Sequence, residues 1–189
     1  MKKLAVFFPG IGYHKDKPLL YYSAKLVKNK AYEIINIEYH DLPEKIRGNQ
    51  ERMKLSADMA YEQAVEQLEN VDFKEYSDIV FIGKSIGTVI LTRYLTEHNI
   101  SAGQIWYTPV EATLSIYDPE GTSGDSGVIM FIGDADPWSD VDRVKKMADE
   151  KGVSWFSYPE CNHSLECNDV DRNIQIIREV MQKTENYIK

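Results

Sequence analysis

The sequence has few of the features that mark secreted or membrane-spanning proteins. Its 189 residues include only two cysteines, Cys161 and Cys167, which cannot form a disulfide framework. No apolar run approaches the roughly eighteen residues that a membrane-spanning helix requires. The apolar run near the start stops at Pro9, which is too short for the apolar part of a signal peptide. These absences favour a protein of the cytoplasm or of another reducing compartment, with no membrane span.

Positive charge is also in short supply. The chain has 22 Lys and Arg against 30 Asp and Glu, a formal net charge of −8, which repels phosphate backbones and anionic lipids. Nucleic acid is therefore not an expected partner. Hydrophobic residues make up 43% of the chain and charged residues 28%, as in ordinary globular proteins, so we predict a single domain over residues 1–189. Nothing in the sequence indicates an oligomeric state.

What the sequence does contain is a regular alternation of strand-like and helix-like segments, the pattern of βαβ units. It predicts a three-layer α/β/α sandwich with a six-stranded, mainly parallel sheet. For the strands of this sheet we expect the order 2-1-3-4-5-6. The predicted strands are Leu4–Phe8, Ile34–Glu38, Ile79–Ile82, Gln104–Thr108, Val128–Ile132 and Val153–Tyr158. The predicted helices are Pro18–Lys28, Glu51–Asn70, Ile86–His98, Asp140–Glu150 and a last helix that includes 170–181. Pro109–Gly127 has no clear period, and we predict an irregular excursion there.

The most informative motif is Gly83–Gly87, a G-x-S-x-G string between an apolar strand and a helix. Such a strand-to-helix turn holds its central residue, here Ser85, in a strained conformation and exposes the hydroxyl group. Glycines on either side let the strand and the helix approach each other closely. The start of the helix supplies unpaired N–H groups, so the Ile86 amide is a candidate donor to an oxyanion.

A nucleophilic serine needs a base, and the base needs a group to orient it. Asp134 and Asp136 follow the fifth predicted strand, and His163 follows the sixth. Because the carboxyl ends of parallel strands meet at one edge of a sheet, Ser85, an aspartate and His163 are expected to come together there.

These segments resemble those of the α/β-hydrolases, in a compact form without a lid. The resemblance covers nearly the whole chain and rests on Pro9–Gly12, Gly83–Gly87, Gly133–Pro137 and Asn162–Leu165, with serine, acid and histidine in the family's chain order. It implies a serine hydrolase that cleaves a carboxylic ester, a thioester or a related acyl compound through an acyl-enzyme. The partner would be a small acyl substrate, with no metal and no organic cofactor required.

The resemblance also implies a role for each matching residue. Ser85 would be the nucleophile, His163 the general base and Asp136 its orienting acid, while the amides of Ile86 and Ile11 would form the oxyanion hole. Asp136 is favoured over Asp134 because the family's acid lies three residues beyond a strand-end glycine, which leaves Asp134 to bond the loop backbone. The family's His-Gly reads Pro9-Gly10 here, so Gly12 remains an alternative to Ile11 as a donor.

Several alternatives belong to other classes. The chain could have the fold of a hydrolase but catalyse no reaction, and it would then act as a binding protein. Gly83-Lys84-Ser85 also ends like a phosphate-binding loop of a nucleotide-binding protein, but the required first glycine falls at Asp78. The pair Gly10 and Gly12 is a weak dinucleotide signal, because the third glycine would fall at Lys15. A zinc site made by Cys161, His163 and Cys167 lacks a fourth ligand.

Some aromatic and apolar residues near the expected site can be read either as substrate contacts or as core. Trp106, Tyr107, Trp138 and Leu165 fall in this group, and Tyr13 and His14 lie beside the expected oxyanion loop. The sequence does not distinguish the two interpretations, nor does it identify the substrate.

Overall fold

A computed structural model describes residues 2–43, 46, 48–119 and 127–189. Six parallel strands form one sheet in the order β2-β1-β3-β4-β5-β6, which confirms the predicted strand order. The strands are β1 Lys2–Phe8, β2 Tyr32–Asn36, β3 Tyr76–Lys84, β4 Gly103–Tyr107, β5 Val128–Gly133 and β6 Ser154–Tyr158. The helices are α1 Pro18–Asn29, α2 Gln50–Leu68, α3 Ile86–Glu97, α4 Glu111–Ile116, α5 Val141–Glu150 and α6 Val170–Tyr187.

Helices cover both faces of the sheet, so the three-layer architecture is also confirmed. Helices α1 and α6 pack on one face, and α2, α3, α4 and α5 pack on the other. The alternation of side chains along β3 shows the two layers: Phe81 lies in the core beneath α2 and α3, whereas Val80 and Ile82 lie in the core beneath α1 and α6. The central strands are apolar on both faces because both faces are covered.

Two parts of the sequence-based description are wrong in detail. Strand β2 runs over Tyr32–Asn36 rather than Ile34–Glu38, because its backbone pairs with β1 from Tyr32 onward, and Glu33 pairs there although its side chain is polar and exposed. The excursion at 109–127 includes a regular helix, α4, which buries Thr113 and Leu114 against the core. A six-residue helix is too short to show a helical period in the sequence. The rest of that excursion, residues 120–126, lies outside the described residues.

Candidate active site

Ser85 occupies a sharp turn between β3, which ends at Lys84, and α3, which begins at Ile86. Its backbone has φ 55° and ψ −124°, a conformation that a residue with a side chain rarely adopts. The Ser85 amide donates a hydrogen bond to the Tyr107 carbonyl at the end of β4, 3.0 Å away, which ties the turn to the neighbouring strand. The structure thus holds Ser85 in the strained strand-to-helix turn that the G-x-S-x-G motif predicts.

The flanking glycines permit this turn because there is no space for a side chain at either position. A Cβ atom on Gly87 would lie 2.1 Å from the Phe8 carbonyl oxygen of β1, and one on Gly83 would lie 2.4 Å from Leu91 of α3. Gly83 would also meet the Gly87 backbone at 3.0 Å. Helix α3 therefore packs directly on the strands, and its first turn contacts the backbone at the carboxyl end of β1.

Ser85, His163 and Asp136 are brought together by three separate strands. His163 Nε2 lies 2.8 Å from Ser85 Oγ, and His163 Nδ1 lies 2.6 Å from Asp136 Oδ2. The second carboxylate oxygen of Asp136 accepts a hydrogen bond of 2.9 Å from the Trp138 amide. With both oxygens occupied, the carboxylate fixes the imidazole ring so that Nε2 faces the serine hydroxyl.

The loops that carry the acid and the histidine are joined to each other. The Ala135 amide donates to the Cys161 carbonyl at 3.0 Å, and a Cβ atom on Gly133 would lie 2.2 Å from the same carbonyl oxygen. The Thr108 hydroxyl donates to the His163 carbonyl at 3.0 Å, which links the end of β4 to the histidine loop. Asp134 accepts a hydrogen bond from the Glu160 amide, so its carboxylate binds loop backbone and does not reach His163.

Burial and nearby charge set the protonation of His163. Burial lowers its pKa below the usual 6.5, the hydrogen bond with Asp136 opposes this, and the positive charge of Lys84 lowers the pKa further. The imidazole is therefore neutral at pH 7 and can accept a proton at Nε2. The Asp136 side chain is fully buried, and its charge stabilises the imidazolium ion that a proton transfer would create.

The loop after β1 passes beside Ser85 and presents free amides there. A Cβ atom on Gly10 would lie 3.2 Å from Ser85 Cβ, so the loop and the turn are in close contact. Within the described part of the chain, the Ile11 and Gly12 amides donate no hydrogen bond, and both residues line the same cavity as Ser85. Ile86, the first residue of α3, also lines that cavity, and N–H groups in a first helical turn lack partners within the helix.

A cavity of about 510 Å³ opens beside Ser85 and His163, within the size range of small-molecule sites. One side, which we call the apolar wall, belongs to the α2–α3–α4 layer; its apolar residues are Met53, Ala57, Ile86, Val89, Val110 and Ala112, and Lys54 of α2 also lines the cavity. The opposite side, which we call the lysine wall, lies toward α1 and the histidine loop; it consists of Tyr13, Lys17, Lys84 and Ser164. Ser85 and His163 lie between the two walls.

The structure separates the aromatic and apolar candidates. Trp138 lines the cavity, with its ring centroid 5.8 Å from that of His163, and Tyr13 lines it as well. Trp106, Tyr107 and Leu165 are fully buried core residues. His14 is exposed near Asp16 and does not line this cavity.

Two alternative sites find no support in the described residues. His163 faces Ser85 and Asp136 rather than the cysteines, and burial raises the pKa of the Cys161 thiol to about 11, so the thiol stays protonated. Across residues 2–43, 46, 48–119 and 127–189, no group of three or more His, Cys, Asp and Glu is arranged to hold a metal ion. The residues before Lys84 are strand β3 back to Tyr76, so no loop is present there to surround a phosphate group.

Most residues of the two walls were not identified from the sequence. Helix α2 contributes Met53 and Ala57 to the cavity, although it precedes the motif by some thirty residues, and nothing local marks them. Lys84 did carry a signal: the alternation Val80, Ile82, Lys84 along β3 places its side chain on the α1–α6 side of the sheet.

None of the helices in the described part of the chain combines the length and the apolar character that crossing a bilayer requires. No protein-family model matches the sequence, and no curated protein matches it either.

Solved structures, in contrast, are similar over almost the whole chain. A protein from Agrobacterium vitis S4 that is named as a hydrolase superposes with a TM-score of 0.70 at 13% identity, covering 100% of this chain and 88% of its own. A lidless α/β serine hydrolase from Xanthomonas campestris gives a TM-score of 0.60 at 11% identity, covering 98% and 82%. A Pyrococcus furiosus esterase gives 0.63 at 12% identity, covering 98% and 81%. The chain therefore has the α/β-hydrolase fold, as the resemblance implied.

Proposed function

We propose that this protein is a serine hydrolase that cleaves a carboxylic ester, a thioester or a related acyl compound through an acyl-enzyme. The observation that carries the proposal is the continuous hydrogen-bonded chain from Ser85 Oγ through the His163 ring to Asp136. Its position at the mouth of a cavity gives an acyl substrate access to the serine. The hydrolase fold of the similar structures supports the same reading.

In the first half of the reaction, His163 Nε2 takes the proton of the Ser85 hydroxyl as Oγ attacks the carbonyl carbon of the substrate. The carbonyl oxygen becomes an oxyanion, which the amides of Ile86 and of Ile11 or Gly12 stabilise. The imidazolium then gives its proton to the leaving alcohol or thiol, and the acyl group remains on Ser85. In the second half, water attacks this ester with His163 again as base, and the carboxylic acid product leaves.

The test is reaction with a fluorophosphonate probe, which phosphonylates an activated serine. We expect the native protein to be labelled at Ser85, as mapped by mass spectrometry, and both Ser85→Ala and His163→Ala to lose the label. Ser115→Ala and His98→Ala are matched controls, because both residues lie away from the cavity, and we expect these variants to label normally. Short-chain aryl esters should be hydrolysed with the same pattern across the variants.

Two outcomes would contradict the proposal. A folded native protein that neither reacts with the probe nor hydrolyses aryl esters would favour a binding protein on a hydrolase scaffold. Tight, magnesium-dependent binding of ATP would instead favour a nucleotide-binding protein.

A further inference from the structure

Lys84 is an unusual residue to find beside a nucleophilic serine. It is only 1% exposed, yet it lines the cavity together with Lys17 and Tyr13. The Lys84 ammonium lies 4.9 Å from the centre of the Tyr13 ring, and the Lys17 ammonium lies 5.6 Å from the same centre. Both lysine amino groups therefore lie within about 6 Å of the centre of the same aromatic ring on the lysine wall.

Within the described residues, neither a carboxylate nor a hydrogen-bond acceptor is paired with the Lys84 ammonium. Among the residues that the structure describes, no carboxylate lies within 4.0 Å of it, and it donates no hydrogen bond to them. Asp136 is the nearby acid that acts on it, but both Asp136 oxygens already accept hydrogen bonds from His163 and Trp138. Lys84 Nζ is not among the fully buried polar atoms without a partner in the described residues, so its small exposure is toward the cavity that the residue lines. An anion bound in the cavity would supply the partner that this ammonium group lacks.

The charges around Lys84 also favour the binding of an anion beside it. Burial lowers the pKa of Lys84 to about 7, the charge of Asp136 opposes the shift, and the charge of Lys17 adds to it. A negatively charged group bound between Lys84 and Lys17 would remove the repulsion between them and favour the protonated form of Lys84.

The cavity as a whole also differs in charge from the rest of the chain. The described residues that line it include Lys17, Lys54 and Lys84 and no Asp or Glu, whereas the whole chain carries a formal charge of −8. A cavity with charge of one sign and apolar walls concentrates the field and attracts ligands of the opposite sign. The described lining of the cavity is therefore positively charged, although the protein as a whole is negatively charged.

We propose that Lys84 and Lys17 form a binding subsite for an anionic group, and that the preferred substrates are esters or thioesters with a carboxylate a few bonds from the scissile carbonyl. This inference rests on the proposed hydrolase function and extends it by naming the substrate class. The carboxylate lies on the lysine wall while the remainder of the substrate contacts the apolar wall, which places the reacting carbonyl beside Ser85.

The experiment compares two substrates that differ in charge and little else, 4-nitrophenyl hydrogen glutarate and its methyl ester, 4-nitrophenyl methyl glutarate. Release of 4-nitrophenol gives kcat/KM for each, after subtraction of the rate with Ser85→Ala, which accounts for spontaneous hydrolysis. The quantity of interest is the ratio of kcat/KM for the charged substrate to that for the neutral one. The ratio is measured in the native protein, Lys84→Met, Lys17→Met and Lys28→Met.

We expect the native ratio to be roughly ten or more, the size of effect that a hydrogen bond to a charged group produces. The ratio should fall to about one in Lys84→Met and to an intermediate value in Lys17→Met. Lys28 is exposed on α1 and does not line the cavity, so Lys28→Met should keep the native ratio. A native ratio near one, or a high ratio that survives both Lys84→Met and Lys17→Met, would overturn the proposal.

Equilibrium binding of glutarate to the intact protein, followed by ligand-observed NMR, separates this inference from the hydrolase proposal. If Ser85 proves unreactive but glutarate binds and Lys84→Met weakens binding about tenfold, the anion subsite holds and the proposed hydrolysis fails. If both esters are cleaved at Ser85 but glutarate affinity and the charge ratio are the same in all variants, hydrolysis holds and the subsite fails. Should Lys84→Met not fold, Lys17→Met decides, because Lys17 is only half-buried.

Discussion

The two walls of the cavity differ in how the fold produces them. The apolar wall comes from the helices α2, α3 and α4 and the residue that precedes α4, where these helices pack together. The lysine wall comes from the end of a central strand, the loop after β1 and the histidine loop, so its side chains lie close to the backbone that positions Ser85. Changes in the apolar wall should therefore alter substrate fit, whereas changes in the lysine wall should also alter electrostatics at His163.

The largest effect should come from Asp136, which belongs to neither wall and should matter equally for charged and neutral substrates. Asp136→Asn removes the charge that orients His163, and in a Ser-His-Asp site such a change typically lowers kcat by about 10⁴-fold. We expect a similar fold-loss for the charged and the neutral glutarate ester, measured as kcat for each. A loss that differs tenfold between the two substrates would mean that Asp136 does more than orient His163 and also sets the charge of Lys84.

The next effect concerns the stability cost of the lysine wall. The pKa of Lys84 is about 7 in the folded protein against an ordinary 10.5, so the unfolded chain binds the proton more readily between these values. The resulting penalty on folding is complete below pH 7 and disappears as the pH rises toward 10.5. Lys84→Met should therefore raise the free energy of unfolding at pH 7 by roughly 1–4 kcal/mol.

Denaturant unfolding at pH 7 and at pH 9.5 checks this expectation. The gain from Lys84→Met should be smaller at the higher pH, while any effect of Lys28→Met should be the same at both. A destabilised Lys84→Met protein at pH 7 would show that the aliphatic part of Lys84 contributes more through packing than its charge costs.

A substitution in the apolar wall should change selectivity without affecting the lysine wall. Ala57 of α2 lines the cavity, and Ala57→Phe would fill part of the space available to a long acyl chain. We expect kcat/KM for an aryl octanoate to fall about tenfold relative to an aryl acetate, in line with the value of a few methylene contacts. Leu55→Phe on the same helix is the control, because Leu55 is 51% exposed and lies outside the cavity. Equal losses for both esters would exclude this wall as the acyl-binding surface.

The smallest effect should appear in the pH profile. The pKa of His163 is lowered by burial, and the charge of Lys84 contributes to the shift against the opposing effect of Asp136. Because the base must be neutral, kcat/KM for the neutral ester should fall on acidification with a midpoint below 6.5. Lys84→Met should move this midpoint to higher pH by less than about one unit. A midpoint that moves to lower pH would contradict the assigned direction of the charge effect.

Much of the fold could be predicted because it follows from local patterns. The six strands and the helices between them follow from the alternation of apolar runs and amphipathic segments, and the structure confirms them in the expected order 2-1-3-4-5-6. The prediction that Ser85, an aspartate and His163 meet required only that parallel strands end at a common edge. The register of β2 could not be predicted, since backbone pairing with β1 decides it and not the most apolar residues. Helix α4 was missed because six residues show no period.

In the candidate site, too, some features could be predicted from local sequence and others depend on tertiary contacts. The G-x-S-x-G spacing indicated the strained turn, since only glycine fits two positions before and after Ser85, where strand and helix touch. The shape and charge of the cavity could not be inferred, because Met53, Ala57 and Lys17 lie far from the motif and reach it only through packing. In the sequence Lys84 stood out only in the phosphate-loop alternative, which lacks its first glycine, and its burial beside Tyr13 and Lys17 is a property of the tertiary structure.

The order of residues along this chain determined where strands and helices alternate and which side chains follow the carboxyl ends of the strands, because those outcomes depend on local periodicity and on turn residues. Only the tertiary structure decided which lysines face the cavity, how Asp136 is shared between His163 and Trp138, and what space remains beside Ser85. Those properties arise from contacts between segments that are distant in sequence, and no local pattern encodes them.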